Sequence, residues 1–288
     1  MAKPDQERNA AVPGLPQPRT AAGRAGLAAL IEQPSRSLIG LDFDGTLAPI
    51  VEDPADARAD PAATAVLARL SALAGTVAII TGRPAGDAAR FAGLAGAPDV
   101  IVLGHYGSER WESGTLTSPP PPPGLATARA ELPGVLARAG AAAGIFVEDK
   151  GYAVAVHTRR AASPAAELDR LRAPLKELAT QTGLAVEPGR FVIELRPPGS
   201  DKGRAIRDLA VQRSATAIMF CGDDRGDLPA FTAVRELRAE GIPGLTVCSG
   251  SAEVPELADE VDLVVAGPPG VVQLLGRLAD AFAAAAHN

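Results

Sequence analysis

The chain has 288 residues and a net charge of −6, with 47% hydrophobic but only 3% aromatic residues. That length allows one large domain or a core carrying a smaller insert, with a sizeable interior built from Ala, Leu, Val and Ile. The acidic balance argues against nucleic acid or an anionic membrane surface as a partner, and no apolar run is long enough to span a bilayer.

Residues 1–25 are rich in Ala, Pro and Arg and lack periodicity, which predicts a disordered tail. They show no charged segment followed by an apolar one, so no signal peptide is expected and a cytoplasmic location follows by default. "SLIGLDF" then reads as a buried strand. "DPAATAVLARLSALA" reads as a helix capped by Asp60, with Pro61 in its first turn. "TVAIITG", "AGDAARFAGL" and "DVIVLG" continue the alternation. Continuous apolar strands separated by helices predict a parallel sheet covered on both faces. The rhythm breaks at "SPPPPPG", residues 118–124, a stiff spacer. Beyond it, "IFVEDKGYAVAVHTRR" offers two short strands about Lys150–Gly151. "AELDRLRAPLKELATQTG" offers an amphipathic helix despite Pro174, and "LAVEPGRFVIELRP" a hairpin turning at Pro188–Gly189. From "SDKGRAIRDLA" onward the α/β pattern returns, with strands "TAIMFCG", "GLTVCSG" and "VDLVVAG". The expected architecture is α/β: a doubly wound, Rossmann-like parallel-sheet core over 26–116 and 197–288, interrupted by an α+β insert over 117–196. Cys221 and Cys248, far apart and at strands, are expected to be buried free thiols, which suits a reducing compartment.

Two acids separated by one residue end the first strand, in "LIGLDFDGTLAPI". A buried unpaired carboxylate is costly and calls for a cation or a hydrogen-bond network. In a parallel sheet, ligands bind beyond the carboxyl ends of the strands. Four stretches fall on that edge: Asp42–Phe43–Asp44, Thr81–Gly82–Arg83, Asp201–Lys202–Gly203 and "CGDDRGD" (221–227). Acids alone suggest a metal. A hydroxyl and a lysine beside them suggest an anion held against that metal, most naturally a phosphate.

"DFDGTL", "TGR", a lysine and "GDD…D", in this order, resemble the four-motif pattern of the haloacid dehalogenase superfamily of phosphohydrolases, in the members that carry a cap between the second and third motifs. "EDKGYAVAVHTRR", "FVIELRPPGSDKG" and "FCGDDRGDLPAF" resemble, more narrowly, the trehalose-6-phosphate phosphatases. The last motif departs from the family's Asp-Asp-x-Thr-Asp-Glu at Gly226 and Leu228. The family's Gly-x-His-Gly appears as Gly104–His105–Tyr106–Gly107, so a tyrosine stands where the family has histidine.

The resemblance implies a Mg²⁺-dependent phosphatase acting on trehalose 6-phosphate. Asp42 would be the nucleophile that becomes an aspartyl phosphate, and Asp44 the acid and then the base. Thr81 and Lys202 would complete the catalytic set. Gly82 and Arg83 would bind substrate. Asp42, the backbone carbonyl of Asp44, and Asp223 would hold the metal, with Asp224 and Asp227 orienting its waters or Lys202. Glu148, Lys150 and Glu194 would hold the sugar hydroxyls, with His157, Arg159 and Arg196 as weaker candidates. Functional coupling to a trehalose-6-phosphate synthase is compatible with this assignment. The bland readings are a helix cap for Asp224 and Asp227 and a solvated turn pair for Glu148 and Lys150. The rival functions are the same chemistry on another sugar phosphate, a phosphomutase, and a non-catalytic sugar-phosphate-binding scaffold.

Overall fold

The structure, a computed structural model, describes residues 14–51, 53–96, 99–189, 191–250 and 255–286. The chain divides into two compact units, one formed by Ser118–Ser200 and the other by the segments on either side of it.

The larger unit is built on an eight-stranded sheet. Its strands are β1 (Ser37–Leu41), β2 (Thr76–Ile80), β3 (Val100–Gly104), β4 (Glu109–Glu112), β5 (Thr115–Thr117), β10 (Ala217–Gly222), β11 (Gly244–Ser249) and β12 (Leu263–Val265). They lie in the order β12-β11-β10-β1-β2-β3-β4-β5. The six strands from β12 to β3 run parallel, while β4 and β5 add an antiparallel edge. That edge hairpin is absent from the sequence reading, because "ERWE" and "TLT" are short and carry no run of apolar residues.

Successive residues of the parallel strands feed two separate cores, as the period of two requires. Ile39, Leu41, Val77, Ile79, Val100 and Val102 enter one. Leu38, Ala78, Ile80, Ile101, Leu103, Ile218 and Phe220 enter the other. The first core is closed by α1 (Ala21–Glu32), α2 (Pro61–Ser71), α3 (Ala85–Phe91) and α8 (Gly267–Ala285), the second by α6 (Lys202–Gln212) and α7 (Leu228–Ala239). Phe220 and Phe231 meet edge to face at 5.7 Å in the second. Asp60 caps α2 through the amide of Ala62, with Pro61 following it, as expected.

The expected tail needs correction. Residues 1–13 lie outside the described residues, but 14–25 are ordered. Thr20 caps α1 through the amide of Gly23 and donates its hydroxyl to Asp262. The guanidinium of Arg19 donates to the carbonyl of Val261 at 2.7 Å, and Leu27 and Leu30 are buried in the first core. Asp262 also accepts from Arg238 and from the amide and hydroxyl of Thr246. Burial works against its charged form, but Arg238, Thr20 and Thr246 outweigh it and hold the carboxyl below the usual range. The segment looks featureless because its anchor lies some 240 residues away, at |i−j| of 242 for Thr20 and Asp262.

The smaller unit is a four-stranded antiparallel sheet in the order β6 (Phe146–Asp149), β7 (Val154–His157), β9 (Val192–Arg196), β8 (Ala185–Gly189). Helices α4 (Pro123–Arg138) and α5 (Pro164–Thr182) cover one face. Pro174 lies inside α5, as read from the sequence. The hairpin turn sits further on than expected: Pro188 and Gly189 still pair with Ile193 and Val192, and Phe191 takes the left-handed conformation at φ 59°.

Candidate active site

The strand order reverses at β1. From it the chain runs outward through β2 and β3 on one side, and later through β10, β11 and β12 on the other. Such a reversal opens a crevice at the carboxyl ends of the central strands. Asp42 follows β1 directly, and its amide donates to the carbonyl of Cys221 on β10 at 2.8 Å. Asp223 follows β10. The predicted motifs thus converge at the switch point.

Lys202 is the hub. It opens α6, where Asp201 caps the helix by accepting from the amide of Arg204. Its Nζ lies 2.7 Å from Asp42 Oδ1 and 2.7 Å from Asp227 Oδ1. Asp227, with no exposed surface, uses its other oxygen to accept from the amides of Asp223 and Asp224, at 2.9 and 3.1 Å. Both of its oxygens are therefore engaged in fixing Lys202 and the backbone of the last motif. Asp224 is exposed and caps its own turn through the amide of Gly226, which is the bland reading of that residue.

Asp42, Asp223 and Asp227 can each offer an oxygen within 4.8 Å of the others. Three buried carboxylates face one ammonium, and the electrostatics follow. Burial pushes Asp42 well above the usual carboxyl range, against the pull of Lys202. Burial, with Asp227 and Asp224, raises Asp223 to about 8. Burial disfavours the Lys202 ammonium, yet Asp227 and Asp42 more than compensate and hold it well above the ordinary lysine value. The site is short of positive charge. An all-oxygen donor set with that deficit fits a hard divalent cation such as Mg²⁺, and zinc, which prefers His and Cys, fits poorly.

Gly45 explains why the first motif continues with glycine. Its φ is +72°, and a β-carbon there would lie 1.9 Å from an oxygen of Asp223. The loop can press against the last motif only without a side chain. Its carbonyl accepts from the fully buried hydroxyl of Ser249, at the end of β11, at 2.6 Å. Ser249 belongs to none of the sequence motifs. Its one signal is its place, at the end of a strand on the same edge as Asp42, Thr81 and Asp223.

Thr81, 1% exposed, directly follows β2, and its hydroxyl oxygen accepts from the amide of Arg83 at 3.2 Å. Arg83, expected on the substrate, instead grips Asp44 with two parallel hydrogen bonds of 2.6 and 2.7 Å. Its guanidinium carbon lies 5.5 Å from the centre of the Phe43 ring and 5.2 Å from that of Phe91. The acid chosen for proton transfer thus has a fixed partner.

Within the smaller unit, Lys150 Nζ donates to Glu194 Oε2 at 2.6 Å, and Glu148 pairs with His157 Nε2 at 2.9 Å. Arg196 pairs with Glu187 across β9 and β8. Register places Ala155 opposite both Glu148 and Glu194, so these two acids share the sheet face opposite the helices. Glu194 is 5% exposed, and its Oε1 is buried without a hydrogen-bond partner among the described residues. Arg159 is exposed.

A doubly wound sheet with an acid pair after its first strand, a hydroxyl after the next, and a lysine fixed between two acids defines a member of the haloacid dehalogenase superfamily. The sequence model of the trehalose-phosphatase family matches residues 40–261, and the chain belongs to that family. It is 33% identical over 261 residues to a trehalose-phosphate phosphatase of Mycobacterium marinum, an alignment that takes in 85% of this chain and 62% of the relative. The chain thus spans less than two thirds of that relative's length. Among solved structures it resembles a trehalose-6-phosphate phosphatase related protein, with a TM-score of 0.66 and 25% identity over 84% of this chain and 97% of the other. It also shares the fold of the C-terminal domain of the C. albicans trehalose-6-phosphate phosphatase, with a TM-score of 0.71 and 21% identity over 92% and 99% of the two chains. Among the described residues no helix is long and apolar enough to cross a membrane.

Proposed function

We propose that this chain hydrolyses trehalose 6-phosphate to trehalose and phosphate through an aspartyl phosphate on Asp42. The observation that carries this reading is the Asp42–Lys202–Asp227 arrangement after β1, with Thr81 after the neighbouring strand β2, in a chain of the trehalose-phosphatase family. Lys202 takes one oxygen of Asp42, which orients the other for attack on phosphorus. As the new P–O bond forms, the bond to the sugar oxygen breaks and Asp44 protonates that oxygen. A water then attacks phosphorus, Asp44 accepts its proton, and the P–O bond to Asp42 breaks. Thr81 and the Gly82 amide hold the phosphoryl oxygens. Arg83 steadies Asp44, and one oxygen of Asp44 must come free of it for each proton transfer. Asp42, the carbonyl of Asp44, and Asp223 would hold Mg²⁺, which would supply positive charge opposite the phosphoryl group. The test is phosphate release over a panel of sugar phosphates, with and without Mg²⁺. Preference for trehalose 6-phosphate that vanishes with chelator is expected. Equal rates on all esters would remove the substrate assignment, and no release from any ester would remove the enzymatic one.

The metal assignment carries a pH signature. The unfolded-state acids titrate near the usual value of about 4, whereas Asp223 in the folded protein titrates at about 8. Between these values the folded state binds more protons than the unfolded one, so the stability of the metal-free protein falls as pH rises through that window. Metal binding needs the ionised acids. The gain in melting temperature from saturating Mg²⁺ is therefore expected to be larger at about pH 8 than at about pH 6. A gain independent of pH would place the cation elsewhere.

Glu148, Lys150 and Glu194 are proposed to read the sugar. The unpartnered Glu194 oxygen is an acceptor that a sugar hydroxyl would satisfy. Alanine at any of the three is expected to lower kcat/KM on trehalose 6-phosphate by roughly 1.5–3 kcal/mol, the cost of losing a charged hydrogen bond. Hydrolysis of p-nitrophenyl phosphate, which has no sugar to hold, should stay nearly unchanged. Three alanine variants with parent rates on both esters would withdraw the assignment.

A further inference from the structure

Among the described residues, the turn after β3 is where non-glycine backbone near the site is strained. His105 and Tyr106 both have positive φ, 47° and 58°, and Gly107 follows at 98°. Two consecutive non-glycine residues in the left-handed region persist only where the surroundings enforce them, and such strain gathers at functional sites.

What the turn touches is the Thr81–Gly82–Arg83 loop. The amide of Tyr106 donates to the Thr81 carbonyl at 2.9 Å, and the amide of His105 to the Arg83 carbonyl at 3.0 Å. Glu109, just beyond, accepts from the amide of Ala85 at 2.8 Å. A β-carbon on Gly82 would lie 2.7 Å from the Tyr106 hydroxyl oxygen and 2.9 Å from the ring carbon that bears it, so the phenol rests against Gly82. A cradle for an anion must present donors and keep carbonyl lone pairs away. The turn takes up the carbonyls of Thr81 and Arg83. The amide of Gly82, between them, has no acceptor among the described residues.

We propose that the His105–Tyr106 turn shapes the loop into a phosphate cradle and that Tyr106 is a positioning residue, its ring the wall that fixes Gly82. This rests on the phosphatase reading and adds to it the residue that aims the Gly82 amide. The hydrogen bonds hold the loop at both ends, and the ring holds its middle. Tyr106 stands at the position where the resemblance places a histidine.

The test uses the full chain with Mg²⁺ and inorganic phosphate as the probe. Phosphate affinity is measured by calorimetry and by competition with p-nitrophenyl phosphate, beside a melting curve. Tyr106→Asn removes the ring while asparagine tolerates the left-handed backbone, so phosphate should bind at least about tenfold more weakly with little change in melting temperature. Tyr106→Phe should keep affinity within about threefold of the parent, because the ring carries the role. Gly82→Ala should weaken phosphate binding strongly in the parent and little further in the Tyr106→Asn background, since the collision partner is then gone. If the asparagine variant melts early, Tyr106→Gly, which takes the same φ freely, replaces it. Unchanged phosphate affinity without the ring, a phenylalanine variant as weak as the asparagine one, or additive effects at 82 and 106 would each overturn the proposal. A parent that neither binds phosphate nor releases it from any ester would instead overturn the phosphatase reading.

Discussion

Asp42→Asn is expected to abolish turnover, with a loss on the order of 10⁴-fold or more, as removal of a covalent nucleophile costs. The amide keeps the size of the side chain and can still accept from Lys202 Nζ, which stays paired to Asp227 at 2.7 Å. The fold should survive, and the direction of the stability change is itself informative. Burial raises the proton affinity of Asp42 in the folded state, so its ionised form is penalised there at neutral pH. A folded-state pKa above the unfolded one means that the penalty grows as pH rises. An asparagine carries no such penalty. The metal-free variant should therefore melt no lower than the parent at neutral pH, and its advantage should increase toward alkaline pH. The measurements are burst and steady-state phosphate release together with melting curves over pH. Residual turnover above about a hundredth of the parent rate would exclude a covalent path through Asp42.

The parts of this site that were legible in sequence are those where chemistry forces a residue type next to a strand end. Asp42, Thr81, Lys202 and Asp223 were found because an acid, a hydroxyl and a lysine at the carboxyl edge of apolar strands have few structural reasons to be there. The core strands were legible for a similar reason: "SLIGL", "TVAII" and "VIVLG" are apolar on both faces, and only a doubly covered sheet buries them. What escaped is what depends on distant partners. Thr20 and Arg19 look like tail residues until Asp262 and Val261 are placed beside them. Ser249 is an ordinary strand-end serine until its hydroxyl meets the Gly45 carbonyl. Arg83 belongs to a recognisable motif, yet no spacing rule could say that its guanidinium would turn to Asp44, since that depends on the Phe43 and Phe91 rings beneath it. Asp224 and Asp227 are neighbours in one motif, and the structure separates them into a surface cap and a buried anchor for Lys202.

Asp44→Asn is expected to produce a loss whose size depends on the leaving group. A sugar alkoxide departs poorly without a proton, and general acid catalysis of such a step is typically worth about 10²–10⁴-fold. A nitrophenolate departs readily without help. Formation of the aspartyl phosphate should thus slow by that factor on trehalose 6-phosphate and far less on p-nitrophenyl phosphate. Steady-state rates would hide the difference, because the same carboxylate is needed as base when water attacks the intermediate, so both esters would stall in the second half. Burst measurements separate the halves, and a full burst from p-nitrophenyl phosphate with almost no subsequent turnover is the expected trace. Asparagine cannot bridge the Arg83 fork as a carboxylate does. Arg83→Gln in the parent background is therefore the control for positioning. It leaves Asp44 free to carry and accept the proton but without its fixed partner, and should slow the first step on trehalose 6-phosphate less than Asp44→Asn does, with little effect on the first step with p-nitrophenyl phosphate. If Asp44→Asn slowed the first step equally on the two esters, the loss would not be that of a general acid. Asp44 would then be a structural partner of Arg83, and the proton for the sugar oxygen would have to come from another group.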